Sequence, residues 1–430
     1  MNSVRRILAV LVVSGGALAA LASTTSTQVA DTTTTTSSSN TLLGLPALWS
    51  PFTSTATATT STTTTTATAP SAVATATTTT TTTTSNSSLK YGVNIDLAKA
   101  APGSDDTATF ATMKQYGQKI ARISIPLAAD TDSYMTARFR KLIDLAAAND
   151  IKLLPVLLLP FTWGDRTDNG KYPAGNSAAL YRQGYDRTRA FVAQFRNDVP
   201  DWELQNEVNL LRTDANGVPL YGKGWARGEF DTTIMRDWGQ VLHGMSDAIG
   251  DINSTYGVSL RRVLGISTTN FGFLEYMVQI QSVKVEVVDY HYYEHVNIDP
   301  TNYWGGAKPD FDLFKKLGGY GRPVIIGELN AGEVYDSDYT NVDGNAKTET
   351  GYKSLATILA DLKKQKSAKI ESVIAYTLVD QPSKRAPENR FGLMRDFNTP
   401  KVSMLLLGAQ AGAPLSSQQQ NSLTSRQISY

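Results

Sequence analysis

PVIIGEL (Pro323–Leu329) sets Val324, Ile325 and Ile326 between Gly-Arg-Pro and a carboxylate at Glu328. A short, β-branched, uninterrupted apolar run of this kind reads as a strand covered on both faces. Working outward, seven more such runs recur: YGVNIDL (Tyr91–Leu97), IARISIPL (Ile120–Leu127), IKLLPVLLLP (Ile151–Pro160), DWELQNEVN (Asp201–Asn209), RVLGISTTN (Arg262–Asn270), VEVVDYHYY (Val285–Tyr293) and IESVIAYTLVD (Ile370–Asp380). Amphipathic stretches separate them, among them TFATMKQYG, ARFRKLIDLAAAND, AALYRQGYDRTRAFVAQFRND and KSLATILADLKKQK. Strands alternating with helices predict an α/β protein with a parallel sheet, and eight repeats fit a closed (β/α)8 barrel. An open doubly wound sheet is the alternative, but no glycine-rich phosphate loop follows the first run.

A barrel of this type does its chemistry at the C-terminal ends of its strands. Those ends carry Asn94 and Asp96, Arg122, Trp163, Asn206 and Glu207, Asn270, His291 and Tyr293, Glu328 and Asn330, Asp380 and Gln381. Packing alone would favour Val, Ile and Leu there, so these residues predict a polar cleft. Alternation along a strand places Glu203, Gln205 and Glu207 on one face, and Ile326 with Glu328. If both faces point inward, Glu207 and Glu328 meet across the cleft. A lone glutamate at a strand end is more often an ion-pair partner. Two facing carboxyl groups are the equipment of glycoside hydrolysis, one protonating the leaving oxygen and one attacking or activating water.

WELQNEVN (Trp202–Asn209) resembles the Asn-Glu motif on strand 4 of clan A glycoside hydrolases, and VIIGELN (Val324–Asn330) their strand 7 nucleophile motif. DYHYY (Asp289–Tyr293) is similar to their His-x-Tyr on strand 6, and FGLMRDFNTPK (Phe391–Lys401) to the segment after strand 8. Families 39 and 5 are the nearest in pattern, and the likeness runs from Tyr91 to about Leu407. The resemblance implies a TIM barrel and a retaining double displacement, with Glu207 as acid/base and Glu328 as nucleophile. It further implies that Asn206 binds the sugar 2-hydroxyl, and that Arg122 and Tyr293 keep Glu328 ionised. Nearness to that charge is expected to raise the pKa of Glu207. Two positions depart from the clan pattern. Tyr376 or Thr377 stands where a Trp commonly floors the glycone subsite, and Trp163 where a His often ends strand 3.

Saccharide clefts pair aromatic platforms with hydrogen-bonding groups, and Trp163, Trp225, Trp304 and Tyr292 are the platform candidates. For any one of them, burial in packing is an equal expectation. Trp202 and Trp238 are expected in the core. Asn94, His291 and Asp380 join the substrate-binding set, although Asp380 is equally suited to pairing with Arg385 or Arg390. His291 and His295 do not converge as metal ligands on a strand and its loop, so neither a metal nor a cofactor is expected. The long stretches Leu210–Phe230 and Ala331–Thr350 would wall a groove and favour internal cutting of a polysaccharide.

The remaining sequence is of a different character. Residues 1–22 have the Arg5-Arg6 start, apolar run and Ala20-Leu21-Ala22 site of a secretory signal peptide. Residues 23–88 are mostly Thr, Ser and Ala, a composition that predicts a disordered linker. The catalytic unit spans 89–414, and 415–430, rich in Gln and Ser, reads as a flexible tail. A secreted, periplasmic or cell-surface monomer without stable membrane insertion is expected. Across 430 residues, 40 Lys+Arg balance 39 Asp+Glu, which argues against nucleic acid as a partner. With 0 Cys, disulfides and thiolate metal sites are excluded. Competing readings are a non-catalytic carbohydrate-binding barrel, a transglycosylase, and a metal-dependent hydrolase or lyase using Asp96, Glu207 and Glu328.

Overall fold

The computed structural model describes residues 89–95, 105–127, 132–159, 176–210, 224–293, 299–303, 311–330, 352–384, 388–428 and 430. The expected signal peptide and Thr-rich linker lie outside these residues. Eight strands form one closed barrel: β1 (Lys90–Ile95), β2 (Ile120–Pro126), β3 (Lys152–Leu158), β4 (Asp201–Leu204), β5 (Arg261–Ser267), β6 (Val287–Tyr293), β7 (Val324–Asn330) and β8 (Ile370–Ala375). Each is parallel to the next, and β8 closes onto β1 through Gly92 beside Ile374. The helices are α1 (Asp106–Gln115), α2 (Asp132–Ala148), α3 (Ser177–Val192), α4 (Thr233–Tyr256), α5 (Phe271–Gln279), α6 (Leu313–Gly318), α7 (Tyr352–Lys364), α8 (Val402–Gln410) and α9 (Ser417–Thr424). The (β/α)8 barrel expected from the apolar runs is therefore the observed fold. None of the helices in the described residues is long and apolar enough to cross a membrane.

Two separate apolar regions hold the barrel. The larger lies between strands and helices and includes Trp202 and Trp238, both fully buried as expected. The smaller takes one residue each from six strands, Ile120, Leu154, Val263, Val287, Ile325 and Ile374. These six plug the barrel interior. Two residues further along three of the same strands stand Arg122, Gly265 and Asp289, where register aligns Asn94 with Arg122 and Gly265 with Asp289. A charged tier thus sits directly on an apolar one, which removes water from beneath the charges.

Between Ile325 and Leu329, β7 carries one residue more than the facing parts of β6 and β8, while lower down the extra residue is on β8, with Val324 and Ile325 beside Ile370 and Ser372. Against β6, Asp289 aligns with Ile325 and His291 with Glu328, so two steps oppose three. Against β8, Ile326 aligns with Val373 and Leu329 with Ala375, the same excess. This is a β-bulge, and it brings Glu328 level with His291.

The chain after Pro414 differs from expectation. Where a flexible tail is expected, Ser416 and Gln419 form a capping box that starts α9. Leu423 and Ile428 are buried, and Gln419 Nε2 donates to the Tyr116 hydroxyl at 3.2 Å. Two anchoring apolar residues are too few to register in a composition dominated by Gln and Ser.

Candidate active site

Glu207 reaches the site by a different route from the one its spacing suggested. β4 ends at Leu204, and Gln205 and Glu207 adopt left-handed backbone with φ of 65° and 47°. Strand alternation therefore does not extend through Gln205 to Glu207. Instead a tight turn lifts Asn206 and Glu207 over the barrel rim, at a cost of about 1–2 kcal/mol per left-handed residue. Asn209 offsets that cost by clamping the turn to β5. Its Nδ2 donates to the Ser267 carbonyl at 2.8 Å, its Oδ1 accepts from the Ser267 amide at 3.2 Å, and its own carbonyl accepts from Asn270 Nδ2 at 3.0 Å. The Glu207 carboxylate then accepts from Ser267 Oγ at 2.6 Å and faces His291 Nδ1 at 2.7 Å, both on Oε1.

Glu328 comes from the opposite side. Its Oε1 accepts from Arg122 Nη1 at 2.8 Å and its Oε2 from the Tyr293 hydroxyl at 2.5 Å. An oxygen of Glu207, a nitrogen of His291 and an oxygen of Glu328 all lie within 4.8 Å of one another. The two glutamates singled out in the sequence thus share one small volume at the C-terminal mouth of the barrel.

Arg122 organises what lies beneath. Its Nε and Nη2 each donate to Glu203 at 2.7 Å, Nη2 also to Asn206 Oδ1 at 2.7 Å, and Nη1 to Asn94 Oδ1 at 3.0 Å. Asp289 stands 3.6 Å from Arg122 Nε and 3.4 Å from His291 Nε2. Gly327 makes room for it: a Cβ there would fall 2.1 Å from Asp289 Oδ2.

Charge is distributed unequally across this network. Burial opposes ionisation of Glu207, but the His291 charge and hydrogen bond and the Ser267 hydroxyl outweigh it. Its carboxyl therefore sits below the ordinary range, not above it as expected from the nearby Glu328. Burial likewise opposes the charged form of His291, yet Glu328, Glu207 and Asp289 drive its pKa well above the usual imidazole value. Burial pushes Glu203 up to about 7 against the pull of Arg122, with Asp289 adding to the rise. Asp289 is held low, because the adjacent His291 and Arg122 overcome its desolvation.

The other expected site residues divide by surroundings. Asn94 is buried and spent on structure, its Nδ2 donating to the carbonyls of Gly327 and Ala375. His291 is 1% exposed, so it serves Glu207 and does not line the cleft surface. Tyr292 is no platform: it is buried between Tyr290 and Tyr303, because it projects from β6 towards the helices. Asp380 is held by Lys401 at 2.8 Å and also feels the charge of Arg390, while Arg385 lies outside the described residues. Trp225 is exposed, with its backbone amide donating to Glu229. Trp163, Trp304 and Asp96 lie outside the described residues. Tyr376, at the end of β8, packs with Phe391 and Tyr293 and accepts a hydrogen bond from Lys384.

Glu203, Asp289, Ser267 and Asn209 were not singled out as site residues. Glu203 and Asp289 were legible in principle, as carboxylates spaced evenly from Glu207 and His291 along their strands. As for metals, Glu203–Asp289–His291 and Glu207–His291–Glu328 have ligand-type spacing. The Arg122 guanidinium already lies 2.7 Å from Glu203 and 2.8 Å from Glu328, supplying the positive charge a cation would bring.

No family model matches the chain, and no curated protein does. Solved structures do. A family 39 glycoside hydrolase from Bacteroides cellulosilyticus WH2 aligns with a TM-score of 0.52 and 16% identity over 75% of this chain and 63% of its own. A family 1 β-glucosidase from Thermotoga maritima gives 0.53 and 14% over 76% and 98%. The exo-β-1,4-mannosidase Op5Man5 from Opitutaceae bacterium strain TAV5 gives 0.52 and 13% over 78% and 60%. The chain thus spans less than two thirds of the first and third of these proteins. At such identities the likeness is one of fold.

Proposed function

We propose that this protein is a retaining β-glycoside hydrolase in which Glu328 is the nucleophile and Glu207 the acid/base. The observation that carries the reading is the approach of Glu207 and Glu328 oxygens to within 4.8 Å. Retaining enzymes hold their carboxyl groups about 5–5.5 Å apart, while inverting enzymes need about 6.5–9.5 Å to admit a water. The glycosidase names of the structural neighbours agree with this chemistry.

In the first step Glu328 attacks the anomeric carbon, the glycosidic C–O bond breaks, and the leaving oxygen takes a proton from Glu207. Because His291 and Ser267 keep Glu207 acidic, that proton belongs to the Glu207–His291 pair, with Nδ1 and Oε1 only 2.7 Å apart. Once Glu328 is glycosylated its charge is gone. Glu207 then accepts a proton from water, whose oxygen attacks the same carbon and releases Glu328. Asn206 has its carboxamide oxygen taken by Arg122, so its amide N–H group is the part that serves the sugar 2-hydroxyl.

The substrate proposed is a polysaccharide, cut internally, with the exposed Trp225 as a platform at the cleft rim. Export of the protein is proposed from the composition of residues 1–22 alone. Incubation with a 2-deoxy-2-fluoro glycosyl donor, followed by peptide mass analysis, tests the mechanism. Label on Glu328 and first-formed products of unchanged anomeric configuration are expected. Inverted products would overturn the retaining assignment.

A further inference from the structure

Asp289 is 0% exposed, and neither of its carboxylate oxygens has a hydrogen-bond partner among the described residues. Ordinary hydrogen bonding therefore does not account for its burial, and an unpaired charge in such a place costs several kcal/mol. Gly327 and Gly265 close it in, with ideal Cβ positions 2.1 Å and 3.8 Å from Oδ2. Among the described residues two cations reach it, Arg122 at 3.6 Å and His291 at 3.4 Å. Arg122 already donates to Glu203, Glu328, Asn206 and Asn94. His291 is the counter-ion left for Asp289.

The same imidazole touches Glu207 through its other nitrogen, Nδ1, at 2.7 Å. We infer that Asp289 is a positioning residue which, by keeping His291 charged, governs the pH range over which Glu207 carries the proton for catalysis. This rests on the proposed acid/base role of Glu207 and goes beyond it, since Asp289 touches no reacting atom.

Every charged group that faces the imidazole among the described residues enters the argument. On its own strand stands Asp289; β4 and the turn after it bring Glu203 and Glu207; β7 brings Glu328, with Oε2 3.6 Å from Nδ1; β2 brings Arg122 at 3.2 Å from Nε2. Arg122 disfavours the imidazolium and the four carboxyl groups favour it. Removing Asp289 tips that balance towards neutral imidazole. The Glu207–His291 pair then holds its shared proton less tightly, because a neighbouring negative charge has gone. Direct loss of the Asp289 charge acts on Glu207 in the same direction, more weakly because it works through the whole width of the imidazole ring.

Two measurements test this. In the ¹⁵N-histidine-labelled wild-type protein, with the three histidines assigned by single replacement, His291 is expected to remain an imidazolium well above the ordinary 6.5. A midpoint at or below the ordinary 6.5 would overturn the inference without any variant needing to fold. In Asp289→Asn the His291 proton affinity is expected to fall by about tenfold or more. The alkaline limb of kcat/KM, which reports loss of the proton that Glu207 and His291 share, should then move down by about one pH unit. A lowered His291 midpoint with an unmoved limb sinks the link to Glu207 and leaves the glycosidase reading intact. If no glycoside is turned over at all, that reading falls, and the inference falls with it even where the imidazole titrates as expected.

Discussion

Arg122 and Glu203 are joined by two hydrogen bonds of 2.7 Å, Nε to Oε2 and Nη2 to Oε1, with both side chains out of solvent. Such a fork fits guanidinium geometry and no ammonium can reproduce it. Arg122→Lys keeps the charge yet leaves several acceptors unserved. Removing one partner of a buried pair typically costs about 3–5 kcal/mol, and a loss near the lower end is expected in denaturant unfolding. Turnover should fall at least about a hundredfold, because Glu328 loses its anchor. A variant with wild-type stability and rate would contradict the central place given to Arg122.

In the proposed reaction Glu328→Gly removes the attacking group but leaves Glu207 in place. Turnover is expected to fall by about four orders of magnitude or more, with azide restoring part of it as a glycosyl azide of inverted configuration. Glu207→Gln should spare substrates whose leaving groups need no proton and cripple those that do. Aryl glycosides of graded leaving-group acidity read the difference. Equal losses across the series would remove Glu207 from the acid role.

Gly327→Ala places a methyl group 2.1 Å from a buried carboxylate that has nowhere to go. Overpacking usually costs about 1–3 kcal/mol, and displacing Asp289 from its cations adds to that. A clearly lowered Tm is expected, together with loss of activity from the displaced Glu328. An unchanged melting curve would show that β7 can shift more freely than its register implies.

Asp106 ties α1 to α2 through Arg138, at 2.6 Å from Nη2, and through Lys141 at 3.1 Å. The Arg138 hydrogen bond holds its carboxyl below the usual 3.8, against the pull of burial. A carboxyl depressed in the folded state adds stability above its unfolded pKa and loses it as pH falls through the folded value. Asp106→Asn is therefore expected to destabilise at pH 7, and the gap to wild type should close as pH drops below about 4. Melting both proteins from pH 7 to 3 checks this; a gap that is independent of pH would assign the effect to packing.

The barrel was legible because each strand announces itself locally, as in Val324–Ile326 or Val285–Val288, and needs no knowledge of its neighbours. Glu207, Glu328, Arg122 and Tyr293 were legible as polar residues at the ends of apolar runs. What was not legible depends on register. The turn at Gln205 and Glu207 and the extra residue on β7 both break the two-residue alternation, yet both deliver their glutamate to the right place. Nor does spacing reveal that Asn94 and Asp380 are tied to partners far along the chain. The acidity of Glu207 was misjudged because Ser267 and His291 converge on one oxygen only in three dimensions.

The additional residue in β7 fixes the rung on which Glu328 stands. Paired regularly from Ile325 beside Asp289, the strand would set Gly327 level with His291 and carry Glu328 up to Tyr292, on the other face of the sheet. Descendants of this gene can therefore be expected to vary freely in the connections above the rim while keeping the irregular step between Ile325 and Glu328.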